Sequence, residues 1–566
     1  MAGKETQVPP KRFPLVQVVP NLEEWPLYRL SKDRERFLQK VIEEAKKELL
    51  QDHRGSASMQ VLLANSLYHE KIRLTRKPWS VDPPDEKKFW AFVAAELTRL
   101  EQEAAPPASW NALLQTILER YGKEIQGNFH NPTYQFARHF LPIAFNRLLN
   151  ASGNRNFSRV FGNRLGIHDR VHLDGNVERL RQIVRDGGTV VMVPTHFSNL
   201  DSILVGYAID AIGLPPFLYG AGLNLFSARI LAYFMNRLGA YKVDRRKKNK
   251  IYLQALKAYS TSALEEGCHS LFFPGGTRSR SGAIEKQVKL GLLSTVIEAQ
   301  RRLLLENPDG PFQKIYVAPV VINYNFVLEA PALIKDHLQE IGRERFFVEQ
   351  DRYSSSGKIA RFILRFFTAG SDIRIRFGDP MDILGNPVDA SGNSLDPNGK
   401  TVPLAAYFQH NGVLNEDTQR DFEYTKILAD KVVHAFHRYN TVMASHVVAF
   451  TAFRLIQKRH PDLDLYQLLR LPEEDRWWDW QALSIAVTRL VAEIKARCDR
   501  GELYREPVLD QPTEAILQHG IRNLGIYHDK RALKVDKRSG KVSSDDLRLL
   551  LFYHNRMDGF GFEHHV

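Results

Sequence analysis

Apolar positions along this chain follow two rhythms, one helical and one of short extended runs. Residues 1–130 open Pro-rich and then place apolar side chains at helical spacing, as in Phe37, Val41, Ala45 and Leu49, with charged residues between them. A helical region is predicted there. From 131 to 378, short β-rich runs alternate with helical ones. TVVMVPT (189–195), HSLFFPG (269–275) and IYVAPVVINY (315–324) read as strands, and the near-continuous apolar character of the first and third suits strands covered on both faces. Segments 249–265 and 287–305 read as helices. The expected fold is α/β: a central, mostly parallel sheet with flanking helices, plus helical N-terminal and C-terminal regions.

Residues 379–414 form a turn-rich insertion with a period of seven, in which Asp382, Asp389 and Asp396 recur alongside Gly385, Gly392 and Gly399. A calcium loop needs a denser run of acids, so stacked turns at the domain edge are expected instead of a metal site. Residues 415–566 return to helix, with a hairpin at 532–546. Helices followed by a basic hairpin can form a winged helix, although a helical region with a solvated turn is the preferred reading.

Composition narrows the partners. The 566 residues carry 78 Lys and Arg against 65 Asp and Glu, a formal charge of +13, which favours phosphorylated small molecules, anionic lipid or nucleic acid. Cys268 and Cys498 lie too far apart in sequence to suggest a disulfide framework or zinc cluster, so a reducing compartment is expected. The opening residues lack the apolar stretch of a secretory signal. The longest apolar runs are broken by Asp210 and Pro215–Pro216, or by His446 and Arg454, so peripheral attachment is expected over a membrane span.

Candidate chemistry is concentrated in the middle region. After TVVMVPT comes HFSNLD, with His196 five residues before Asp201. Five residues subtend about 500° on a helix, so the two side chains meet only if His196 lies in the loop and Asp201 in the first helical turn. Ser198 and Asn199 are good N-cap types, and Asp201 suits the positive end of the helix. A carboxylate on one ring nitrogen would leave the other free as a general base. Alternatively, Asp201 closes a capping box with Ser198 and His196 is a surface loop residue. Two further loops follow strand-like runs: GAYKVDRR (239–246) and FFPGGTRSRSG (272–282). Glycines that let the backbone approach an anion, together with forked arginine donors, favour a phosphate site.

In this order, HFSNLD, GAYKVDR, FPGGTRS and VAPVVINY resemble the four blocks of the glycerol-phosphate acyltransferase superfamily. GAGLNLF (220–226) resembles a segment of the larger glycerol-3-phosphate and dihydroxyacetone-phosphate acyltransferases. Fainter similarity runs through VKLGLL (288–293), YNTVMASHVVAF (439–450) and LLLFYHNRM (549–557). The resemblance implies His196 as base and Asp201 as its orienting partner. It implies Arg245 and Arg278 at the acceptor phosphate, Gly276, Thr277 and Ser279 shaping that pocket, Lys289 as a further phosphate ligand, and Pro319 on the acyl side. In one departure, the third block normally carries glutamate where this chain has Gly275.

The implied reaction transfers a fatty acyl group from acyl-CoA or acyl-carrier protein to glycerol 3-phosphate, without cofactor, metal or covalent acyl-enzyme. Backbone amides near the helix start are expected to hold the oxyanion. Lysophosphatidate and dihydroxyacetone phosphate are alternative acceptors, while a basic nucleic-acid-binding protein and an inactive lipid-binding scaffold are rivals of another class. No nucleic acid partner is expected. A cytoplasmic protein, peripheral on the inner face of a membrane, is. That expectation rests on KIARFILRFF (358–367), whose apolar residues share a helical face beside Lys358, Arg361 and Arg365; alternatively, the same stripe packs on the sheet.

Overall fold

The computed structural model describes residues 13–76, 79, 81–140, 170–223, 229–308, 310–341, 372–525, 528–536 and 540–566. Seven strands form the central sheet: β1 (Val171–Gly175), β2 (Thr189–Pro194), β3 (Leu218–Gly222), β4 (Ala240–Val243), β5 (Ser270–Leu271), β6 (Ile315–Tyr324) and β7 (Ile373–Phe377). Their order is β1-β7-β6-β2-β5-β3-β4, and neighbours run parallel except for β6 against β7. β2 and β6 are buried along their whole lengths and pair in register from Thr189 with Ile315 to Pro194 with Val320. Their β-branched runs fit a pleated surface covered on both faces.

Before the sheet, the described residues form α1 (Pro26–Lys32), α2 (Arg34–Asp52), α3 (Ser56–Arg76), α4 (Glu86–Gln102) and α5 (Pro107–Ile125), and residues 131–140 are helical as well. Phe37, Val41, Ala45 and Leu49 form the buried stripe of α2, as their spacing predicted. Between strands, the described residues form α6 (Val177–Arg185), α7 (Asp201–Ala211), α8 (Arg229–Arg237), α9 (Lys250–Glu265), α10 (Leu290–Glu306) and α11 (Ala330–Ile341). The N-terminal helices share a hydrophobic core with α9 and with Leu218 and Tyr241 of β3 and β4.

After the sheet come α12 (Thr418–Arg438), α13 (Ala444–Arg459), α14 (Trp480–Asp499), α15 (Thr513–Gly525) and α16 (Leu547–His554). Their apolar faces do not form a core of their own. Val447, Phe450, Leu490 and Leu550 belong to the same cluster as Val190, Val193 and Val320 of the sheet. Among the described residues no helix is long and apolar enough to cross a membrane, and 358–367 lies outside them.

The late hairpin exists: Lys534–Val535 pairs antiparallel with Val542–Ser543, which in turn pairs with Trp477–Trp478. The period-seven segment is a run of like turns. Asp382 Oδ1 accepts from the amides of Leu384 and Asn386, Asp389 Oδ1 from Ser391 and Asn393, and Asp396 Oδ1 from Asn398 and Lys400. The glycine of each turn takes a positive φ, between 76° and 79°.

Candidate active site

Parallel pairing brings the carboxyl ends of β2, β4 and β5 to one edge of the sheet, where ligands collect in open α/β folds. The loop after β2 carries His196, and α7 begins at Asp201. His196 Nδ1 and Asp201 Oδ2 are 2.8 Å apart. With the carboxylate as acceptor, the ring proton sits on Nδ1 and Nε2 keeps its lone pair. The His196 ring also stacks on Phe273, with centroids 4.1 Å apart.

Asp201 is fully buried and held by more than the imidazole. Its Oδ2 also accepts from the amides of Phe197 (2.6 Å) and Ser198 (2.9 Å), and its Oδ1 accepts from the Tyr324 hydroxyl. Burial, and after it the charge of Asp201, raises the Tyr324 pKa well above the phenol value, which keeps the hydroxyl a donor. The His–Asp pair forms, and of a capping box only the carboxylate half, Ser198 N to Asp201 Oδ2, accompanies it.

Two local expectations differ from the structure. The N-cap of α7 is Leu200, without a side-chain cap, whereas Ser198 and Asn199 were the expected caps. The Ser198 hydroxyl is engaged with the Leu200 amide at 3.2 Å and with Glu329 at 3.1 Å. The helix-start amides expected to hold an oxyanion are also occupied. His196 N donates to Glu285, Phe197 N and Ser198 N to Asp201, Asn199 N to Glu329, Leu200 N to Ser198 Oγ, and Asp201 N to Ser198 O.

The loop after β5 is tied to the same unit, since Ser279 N donates to His196 O at 2.7 Å. A cavity of about 1170 Å³ opens here, lined by Arg245, Gly276, Thr277, Arg278, Ser279 and Lys289 among others. Lys289 precedes α10, and its amide donates to Pro274 O at 2.7 Å. Arg278 Nη1 lies 3.4 Å from Glu329 Oε1, so the carboxylate that braces the His196 loop also restrains this guanidinium. Pro319 is buried within β6 opposite Val193 and does not line this cavity.

Adjacent arginines after β4 diverge. Arg246 pairs with Asp244 and Asp82 and stacks over Trp79, while Lys247 pairs with Glu86 and Glu124. Arg73 joins Glu70, Asp82 and Glu86 to the same network, so the N-terminal helices anchor the loop. Arg245 faces the cavity. The protein around its guanidinium, and after it the charge of Arg278, lower its pKa below the ordinary arginine value. Two cations that line one cavity favour an anion within it.

Four further residues complete the site: Tyr324, Glu329, Glu285 and Arg556. Tyr324 and Arg556 lie within the stretches VAPVVINY and LLLFYHNRM, where spacing gave no sign that they approach His196. Arg556 is buried, its guanidinium 3.6 Å above the Phe197 ring and bonded to Asn323 Oδ1. Burial brings its pKa down to about 10, against the pull of Glu285 and Asp201. Burial likewise pushes Glu285 up to about 7, opposed by the His196 amide and by Arg556. Glu285 and Glu329 stand in loops with no local pattern to mark them.

Residues 170–323 match the protein-family model described as Acyltransferase. Among solved structures, the chain is similar to the 1-acyl-sn-glycerophosphate (LPA) acyltransferase PlsC from Thermotoga maritima. Identity is 14%, the match covers 53% of this chain and 80% of that one, and the TM-score is 0.25.

Proposed function

We propose, from the premise that residues 170–323 are an acyltransferase-family domain, that this protein moves a fatty acyl group from a thioester to the hydroxyl of glycerol 3-phosphate. The observation that carries the reading is the joining of a His–Asp pair to a cation-lined cavity through one hydrogen bond, Ser279 N to His196 O. In this scheme, His196 Nε2 takes the proton from the acceptor hydroxyl as its oxygen bonds to the thioester carbonyl carbon. Collapse of the tetrahedral intermediate breaks the C–S bond, and the imidazolium returns the proton to the departing thiolate. Asp201 stabilises the imidazolium through Nδ1.

Arg245, Arg278 and Lys289 receive the acceptor phosphate in this scheme, and Arg278 exchanges part of its contact with Glu329 for phosphate oxygens. The donor, acyl-CoA or acyl-carrier protein, and a peripheral seat on an anionic membrane on the cytoplasmic side belong to the same proposal. The test is acyl transfer by the purified full chain from labelled acyl-CoA and from acyl-carrier protein, with glycerol 3-phosphate, dihydroxyacetone phosphate and lysophosphatidate as parallel acceptors. Highest kcat/KM with glycerol 3-phosphate supports the proposal. Preference for another acceptor reassigns the substrate, and absence of transfer to all three overturns the reading.

A further inference from the structure

His196 is gripped through its backbone as well as its ring. Its carbonyl accepts from Ser279 N at 2.7 Å, and its amide donates to Glu285 Oε1 at 3.0 Å. Both contacts come from the 272–289 loop, the same loop that carries Arg278. Glu285 is half-buried, but its Oε2 is enclosed and has no hydrogen-bond partner among the described residues. A carboxyl kept there at the expense of solvation, without a saturated set of donors, costs stability and calls for a reason.

The surroundings supply one. A Cβ added at Gly275 would lie 3.1 Å from both Cγ and Oε1 of Glu285, so the glycine leaves the room that this carboxyl fills. From the segment after α16, Arg556 stacks on Phe197, the neighbour of His196, and its buried positive charge favours the ionised Glu285. That segment holds the loop from outside as well: Asn555 Nδ2 donates to Ser281 O at 2.9 Å, and Lys286 pairs with Asp558 at 3.0 Å.

We infer that Glu285 is a positioning residue for His196: its carboxyl, seated against Gly275 and backed by Arg556, fixes the base relative to the phosphate-facing loop. The carboxylate missing from position 275 of the third block is thus delivered to the same space from position 285. This inference rests on the acyltransfer reading for its kinetic arm and is independent of it in its chemical arm.

The experiment compares wild type, Glu285→Ala, Glu285→Gln and the double variant Gly275→Glu/Glu285→Ala, each verified as folded by circular dichroism and thermal melting. A base displaced by about 1 Å loses on the order of 10²-fold in rate. Glu285→Ala is therefore expected to lose kcat by about 10–100-fold with KM for both substrates nearly unchanged, and the double variant to recover most of it. Glu285→Gln, which keeps an oxygen for the His196 amide, is expected to lose less, and it carries the test if the alanine variant does not fold. Diethyl pyrocarbonate modification of His196, followed by mass spectrometry, requires no turnover. It is expected to accelerate in Glu285→Ala and to slow again in the double variant. A folded Glu285→Ala with wild-type kcat and modification rate overturns the inference, as does a loss that Gly275→Glu leaves unrelieved. A wild-type protein that transfers no acyl group, yet shows the modification pattern, retains the inference and removes the acyltransfer reading.

Discussion

Replacing Asp201 with asparagine separates the two tasks of that carboxylate. Three donors converge on Oδ2, the His196 ring at 2.8 Å and the amides of Phe197 and Ser198 at 2.6 and 2.9 Å. Backbone amides cannot turn round to accept, so an asparagine must direct its oxygen to that side and its NH2 toward Tyr324, whose hydroxyl can rotate to accept. The His196 tautomer therefore survives, and what is lost is charge. Exchanging charge-assisted for neutral bonds costs about 1 kcal/mol each, hence about 3 kcal/mol of stability over these three. In turnover, the imidazolium loses an ionic partner worth up to about 3 kcal/mol, a fall in kcat on the order of 10²-fold. His196→Ala, which removes the base, should fall by about 10²–10⁴-fold and lie below Asp201→Asn while remaining folded. Steady-state kcat with an acyl thioester and a saturating acceptor, paired with denaturant melts, measures both quantities. An Asp201→Asn protein with undiminished kcat refutes the pairing, and one as inactive as His196→Ala refutes the claim that the two amides preserve the tautomer.

Arg245→Ala and Arg278→Ala should each raise KM for the phosphorylated acceptor by about 10–100-fold, with little change for the acyl donor. Arg246→Ala should instead lower stability, since its partners are Asp82 and Asp244; equal effects on both substrates from Arg245 or Arg278 would make them structural or donor-binding. Burial pushes His446 from 6.5 down to about 3, so below pH 6.5 the unfolded chain takes up a proton that the folded one refuses, and stability is lost as pH falls. His446→Gln should flatten the stability–pH curve by about 1.4 kcal/mol per pH unit between about pH 6 and 4, and parallel curves would refute this. Gly282 has φ +85°, and an added Cβ would lie 2.1 Å from Phe552 O, so Gly282→Ala should cost at least about 2 kcal/mol and reduce kcat through the loop bearing Glu285. Unchanged melting of that variant would show that the loop is not clamped against α16.

What could be read from the sequence is what the chain keeps local. The apolar runs at 189–195 and 315–324 become β2 and β6, and the His196–Asp201 contact spans a single strand-to-helix turn. Arg245 and the 276–279 residues, which line the cavity, follow strands, where glycine and arginine in a short loop carry their own signal. Arg246 shows the limit of that signal: residue type does not separate it from Arg245, and Asp82, far back in the sequence, joins neighbouring Asp244 in pairing with Arg246. Glu285, Glu329 and Arg556 reach the site from loops and a distant helix end, so no period or spacing could mark them. The fully engaged amides of 196–201 were illegible for the same reason, because Glu285 and Glu329, two of their acceptors, come from elsewhere in the chain.

Because the C-terminal helices complete the sheet's core and Arg556 stacks on Phe197 beside His196, synthesis and completion of the site are ordered in time. A ribosome releases the His196 segment long before α16 exists, and until α16 arrives Phe197 lacks its cation and the loop at Gly282 its buttress. A nascent or truncated chain thus carries His196 and the cavity arginines without their alignment. The site around His196 is ordered only when the last helices have docked.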